Sequence, residues 1–130
     1  MNRAAKVLDA LTAAHKESVH RPPAEQAAHV QHALGGRLAA AALGLRDTRT
    51  LQSWSRGGPI RGLNQEHRLQ ILYQVTTAIE AVYSSAVAAA FLRGSNPQLD
   101  DRAPMLVIAQ GDPVAIQAEV MGAVEALLQA

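Results

Sequence analysis

From Asn64 or Gln65 to Leu92 the apolar residues recur at helical spacing, and no glycine or proline interrupts them. Leu69, Leu72, Tyr73, Thr76, Ile79, Val82, Tyr83, Ala86 and Ala90 trace one stripe, the pattern of an α-helix that buries a face. Ile71, Val75 and Val87 add a second apolar edge, more than one core face requires. The segment therefore predicts a long central helix that other elements, or a second subunit, must cover on more than one side.

The rest of the chain is cut into helix-length pieces by glycine and proline. Arg3 to Lys16 carries Ala4, Val7, Leu8, Leu11 and Ala14 at three-and-four spacing, and Pro22-Pro23 ends it. Ala24 to Leu34 follows, with Ala27, Ala28, Val30 and Leu34 inward, closed by Gly35-Gly36. A third helix, Arg37 to Leu43, stops at Gly44, where a helix-turn-helix commonly needs a residue tolerant of positive φ. A fourth, Thr48 to Arg56, starts where Asp47 or Thr48 can accept a bond from an exposed N–H, and Gly57-Gly58-Pro59 closes it. Pro104 to Ala109 suits a short apolar helix or, by propensity, a strand; Asp112-Pro113 then opens a terminal helix with a cap and a proline at N1. The chain is 48% hydrophobic but 3% aromatic, so its core is built from Ala, Leu and Val, small side chains that suit close helix packing. The expected fold is all-α.

Composition excludes several chemistries. Without cysteine there is no disulfide, thiolate nucleophile or Cys-zinc site. His29 and His32 lie three apart on one predicted helix, but no HExxH or other ligand spacing supplies a third metal ligand. No nucleophile motif, carboxylate dyad or Gly-rich phosphate loop occurs, so an enzyme is not expected, nor a cofactor. The start lacks an apolar signal core and no apolar run approaches membrane-spanning length, which predicts a cytoplasmic location.

Charge is unevenly distributed although the net value is +1. Residues 37–68 hold six arginines against Asp47 and Glu66, a local balance of +4; from Asn96 onward five acids oppose Arg102 alone, a balance of −4. Such a division suits two halves that meet different partners, one of them a polyanion, although solvated helix faces produce similar patches. Within the fourth helix, Leu51 and Trp54 face the core, which leaves Arg49, Gln52 and Ser53 placed for base edges. Arg46, Arg56 and Arg61 are better placed for phosphates, and Thr48 at the helix start joins them as a candidate DNA contact. The same shape also serves as a packing module that reads no DNA.

The run Phe91-Leu92, then Asn96-Pro97-Gln98-Leu99, then Arg102-Ala103-Pro104 before a short terminal helix resembles the toxin-binding domain of Xre/MbcA/ParS-type antitoxins. Residues 38–68 resemble the Xre-like helix-turn-helix that precedes that domain, so the likeness covers about residues 35–130. Phe91 stands where the family often has Trp, and Asp100-Asp101 where small residues or glycine are common. The resemblance implies N-terminal helices without assigned role (1–34), a helix-turn-helix (35–68), and a long helix with a toxin-binding region (69–130). It further implies a partner, a RES-type toxin that destroys NAD, whose cleft the antitoxin's C-terminal region obstructs. Phe91, Leu92, Asn96, Pro97, Leu99, Arg102 and Pro104 occupy the motif positions, and Val120, Val124, Leu127 and Leu128 of the terminal helix join them as candidate toxin contacts. Operator DNA and a second copy of the chain complete the expected partners, because half-site readers generally dimerise. The alternatives are a stand-alone dimeric helix-turn-helix regulator without a toxin and, if the arginines are scattered, a structural adaptor.

Overall fold

A computed structural model describes residues 2–130. Eight α-helices account for the described fold: α1 (Arg3–His20), α2 (Pro23–Leu34), α3 (Gly36–Ala42), α4 (Thr48–Ser55), α5 (Leu63–Val82), α6 (Ser85–Arg93), α7 (Pro104–Gln110) and α8 (Pro113–Gln129). A 3₁₀ turn, Pro97–Leu99, lies between α6 and α7. The all-α expectation holds, and Pro104–Gln110 is helix, not strand.

The central element is α5. Six consecutive residues, Ile71 to Thr76, are buried, so this helix is covered nearly all round. The cover comes from α1, α2, α6, α7 and α8 of the same chain. Of the second apolar edge, Ile71 and Val75 are thus taken up within one molecule, and Val87 packs half-buried against the same core.

The expected continuous helix to Leu92 is corrected: α5 ends at Val82 and a separate helix starts at Ser85. Tyr83 leaves helical geometry at φ −124°, ψ −104°, and the Ser84 hydroxyl accepts the Val87 N–H at 3.2 Å, capping α6. A polar residue able to bond the next turn's backbone competes with helix continuation, so the chain bends without glycine or proline.

At the other end, α1 continues four residues past Lys16 to His20, and its inward stripe is Val7, Ala10, Ala14 and Ser18, while Leu8 is 64% exposed. Ser18 explains the extension. Its hydroxyl donates to His15 O at 2.7 Å and accepts from Gln74 Nε2 at 2.8 Å, and Gln26 Nε2 donates to its carbonyl at 2.8 Å. This buried polar node ties α1, α2 and α5 together, which a hydrophobic count cannot register.

One contiguous core runs from Val7 to Leu128. The boundary expected at 68/69 falls inside α5, and side chains from all three expected segments share that core.

Candidate nucleic-acid interface

The α3–α4 pair is shaped by local backbone bonding. Gly44 stands at φ +72° after α3, with its N–H bonded to Ala41 O at 3.1 Å and the Leu45 N–H bonded to Ala40 O at 2.9 Å. That crossed pair is a Schellman closure, in which a left-handed glycine satisfies the helix's last carbonyls. A Cβ on Gly44 would also come within 3.1 Å of the Ala109 carbonyl, so the turn is seated directly on α7. The end of α4 repeats the device: Gly57, at φ +90°, donates to Trp54 O at 3.0 Å and Gly58 to Ser53 O at 2.8 Å.

Between these closures α4 buries Leu51 and Trp54 against α2 and α3 and turns Arg49, Ser53 and Arg56 to solvent, with Gln52 half-buried. Arg49, Gln52, Ser53, Arg56 and Gly58 line one shallow groove of about 410 Å³. Arg46 and Arg61 are exposed before and after the helix in the chain, and neither lines this groove. Thr48 is half-buried at the helix start, and its methyl lies where a Cβ on Gly36 would approach it to 3.3 Å, so it also packs on α3.

Two residues belong to this surface that the sequence analysis did not count among its DNA contacts, Asp47, read there only as a possible cap, and Arg37. Asp47 accepts the Arg49 backbone N–H at 2.9 Å through Oδ1, and its Oδ2 receives Arg49 Nη2 at 3.0 Å and Nε at 3.3 Å. These bonds, the side-chain guanidinium first and the backbone N–H second, hold the Asp47 carboxyl below its ordinary range. Arg37 with Arg46 flanks a second depression whose floor is Ala40, Ala41 and Leu45. An acid immediately before a helix and two positions ahead of an arginine was the available signal for the first; nothing in the sequence singled out Arg37 from its neighbours. Arg68, in contrast, leaves the basic set. Its guanidinium donates to Ile108 O at 2.8 Å and Gly111 O at 3.0 Å, and also bonds Gln65, so it closes the end of α7.

The candidate toxin contacts are largely reassigned. Leu92, Leu99, Pro104, Val120, Val124 and Leu128 are buried, and Phe91 and Leu127 pack half-buried against the same core. Apolar side chains on α6, α8 and the loop close the molecule itself, because a small chain spends its large apolar residues on its own core. Pro97 and Arg102 remain exposed and Asn96 partly so. The loop is a compact plug: Asn96 Oδ1 accepts the Gln98 N–H at 2.9 Å, Asn96 N–H donates to Arg102 O at 3.2 Å, and Asp100 and Asp101 are left-handed at φ +55° and +62°. Of α8, the outer side is Val114, Ala118, Glu119, Gly122 and Glu125. Part of it borders a groove of about 510 Å³ between α8, α1 and α5, also lined by Leu11, His15 and Met121.

The histidines serve structure where they are engaged. His29 bonds Glu80 at 2.6 Å across α2 and α5 and meets the Tyr73 ring edge-on, and His67 bonds Gln117 at 2.8 Å. Among the described residues no three acidic or histidine side chains converge as metal ligands, and no helix is long and apolar enough to cross a membrane.

Compared with known proteins, the chain matches no protein-family model, no curated protein and no solved structure.

Proposed function

We propose that this chain is a cytoplasmic antitoxin of a type II toxin–antitoxin pair, which occludes a RES-type NAD-degrading toxin and represses its own operon as a dimer through α3 and α4. The observation that carries the reading is the outer face of α4: two arginines, a glutamine and a serine line one groove on a short helix whose other face is Leu51 and Trp54. That is the side-chain chemistry of major-groove contact, with arginine suited to guanine and phosphate and glutamine to adenine. The toxin half rests on the resemblance of the Phe91 to Pro104 run. The surface available for it is the outer side of α8 with Asn96, Pro97 and Arg102 at the loop, in place of the buried α8 residues.

The experiment is co-expression with the product of the neighbouring reading frame, following growth and cellular NAD. Restoration of both is expected, with a complex that co-purifies; Ala118→Arg on the outer side of α8 is expected to abolish rescue while melting remains unchanged. A chain that neither co-purifies nor restores NAD removes the antitoxin reading. The stand-alone regulator is then the second reading, and one observation favours it: the motif residues Leu92, Leu99 and Pro104 are all consumed by the core, so the loop has a structural use without any toxin.

A further inference from the structure

We infer that Asp47 is a positioning residue that presents Arg49 to a guanine, so that this pair sets one base of the sequence the protein reads; the inference rests on the reading of α4 as a DNA-recognition helix. The carboxylate is fixed first by the backbone, since Oδ1 accepts the Arg49 N–H at 2.9 Å. Oδ2 is thereby aimed along the helix start, where it takes both N–H groups of one guanidinium edge, Nη2 at 3.0 Å and Nε at 3.3 Å. Nη1 has no partner among the described residues, and Nη2 keeps its second hydrogen. The end of the guanidinium is thus left facing outward with two parallel donors, the arrangement that guanine O6 and N7 accept in the major groove.

Charge decides between this role and a phosphate grip. An acid paired with Arg49 cancels the positive charge that a phosphate would seek and repels the phosphate itself. Hydrogen-bond direction toward a neutral base edge survives that cancellation. The Arg49 side chain is 86% exposed, so the contact adds little stability to the fold. Its effect is to hold a long side chain in one geometry before binding, which lowers the ordering cost of the complex. Among the described residues Arg46 and Arg56 carry no such acid, and they retain the charge suited to phosphate.

The test is selection from a pool of DNA duplexes of randomised sequence, with the full chain, at several salt concentrations. Wild type is expected to enrich a guanine at one position. Asp47→Asn keeps the helix cap, because asparagine caps as well as aspartate, and its melting temperature should not change. It is expected to lose about tenfold in guanine-over-adenine discrimination at that position, while binding to the unselected pool stays equal or tightens. Asp47→Ser, another cap without the charge, should behave alike. Arg49→Lys should lose preference at the same position, and the Asp47→Asn/Arg49→Lys double variant should lose no more than either single one. Retained guanine preference in both Asp47 variants, or losses that add in the double variant, would overturn the role of Asp47 and leave DNA reading intact. A wild-type chain that enriches nothing and binds the pool with no salt dependence would overturn both.

Discussion

Tyr73 is buried at the junction of α1, α2 and α5, with its hydroxyl donating to Glu17 at 3.1 Å and its ring against His29. Burial, and then the Glu17 carboxylate, push the phenol up to about 12, because a phenolate there would lose solvent and face a like charge. A raised value means that the protonated form favours folding: this contribution is full below pH 10 and is lost as the pH climbs toward 12. Absorbance titration of the phenolate should therefore contain a component with its midpoint near pH 12, absent in Tyr73→Phe. The left-handed pair Asp100 and Asp101 supports a second expectation. Non-glycine residues at positive φ carry a local cost, and Asp tolerates it better than most. Asp101→Gly should leave stability unchanged or raise it by up to about 1 kcal/mol in urea unfolding. At this scale the sequence was readable wherever a residue's role depends on its own helix, as for Trp54 and Leu51. It was silent for Arg68, whose acceptors at Ile108 and Gly111 lie about forty positions away and belong to another element.

Helix boundaries divide by the chemistry that makes them. Breaks at Pro22-Pro23, Gly44 and Gly57-Gly58 were legible because each is a local backbone device: a missing donor, or a left-handed residue that closes carbonyls. Asp112-Pro113 likewise begins α8, although the Asp112 side chain makes no cap bond there and the proline at N1 does the positioning. The break between α5 and α6 was hidden because the apolar periodicity continues through Val82, Tyr83 and Ala86, and only the Ser84 hydroxyl interrupts it. Ser84→Ala removes that cap and leaves the Val87 N–H without its acceptor. The expected cost is about 1 kcal/mol, read as a lowered midpoint in chemical denaturation, whereas Ser84→Asn should restore wild-type stability. If Ser84→Ala were as stable as wild type, the bend would have to be maintained by packing on α2, α5 and α7 alone.

For the molecule as a whole, the N-terminal helices, which had no assigned role, supply part of the core: α1 and α2 close two sides of α5, and α2 also carries α4. What the linear charge pattern suggested as two halves is thus one packed body with the α4 groove and the outer side of α8 on its surface. Separate surfaces without separate cores predict a single cooperative unfolding event. Trp54, the only tryptophan, reports on α4, while far-ultraviolet circular dichroism reports on all helices together. Their urea midpoints should coincide, as two-state behaviour requires. The sharper test is Leu128→Ala, at the far end of α8 and fully buried. Truncating such a leucine typically costs about 2–5 kcal/mol, a large part of the total stability of a small domain at about 5–15 kcal/mol. Because Leu128 and Trp54 belong to one core, that loss should appear undiminished in the Trp54 signal. Deletion of residues 111–130, which removes Val120, Ala123, Val124 and Leu128 from the core at once, should abolish the Trp54 transition altogether. A Trp54 midpoint that stays at its wild-type value in Leu128→Ala, while the dichroism midpoint falls, would instead mean that the helix-turn-helix region folds apart from α8 and that each surface can be removed without the other.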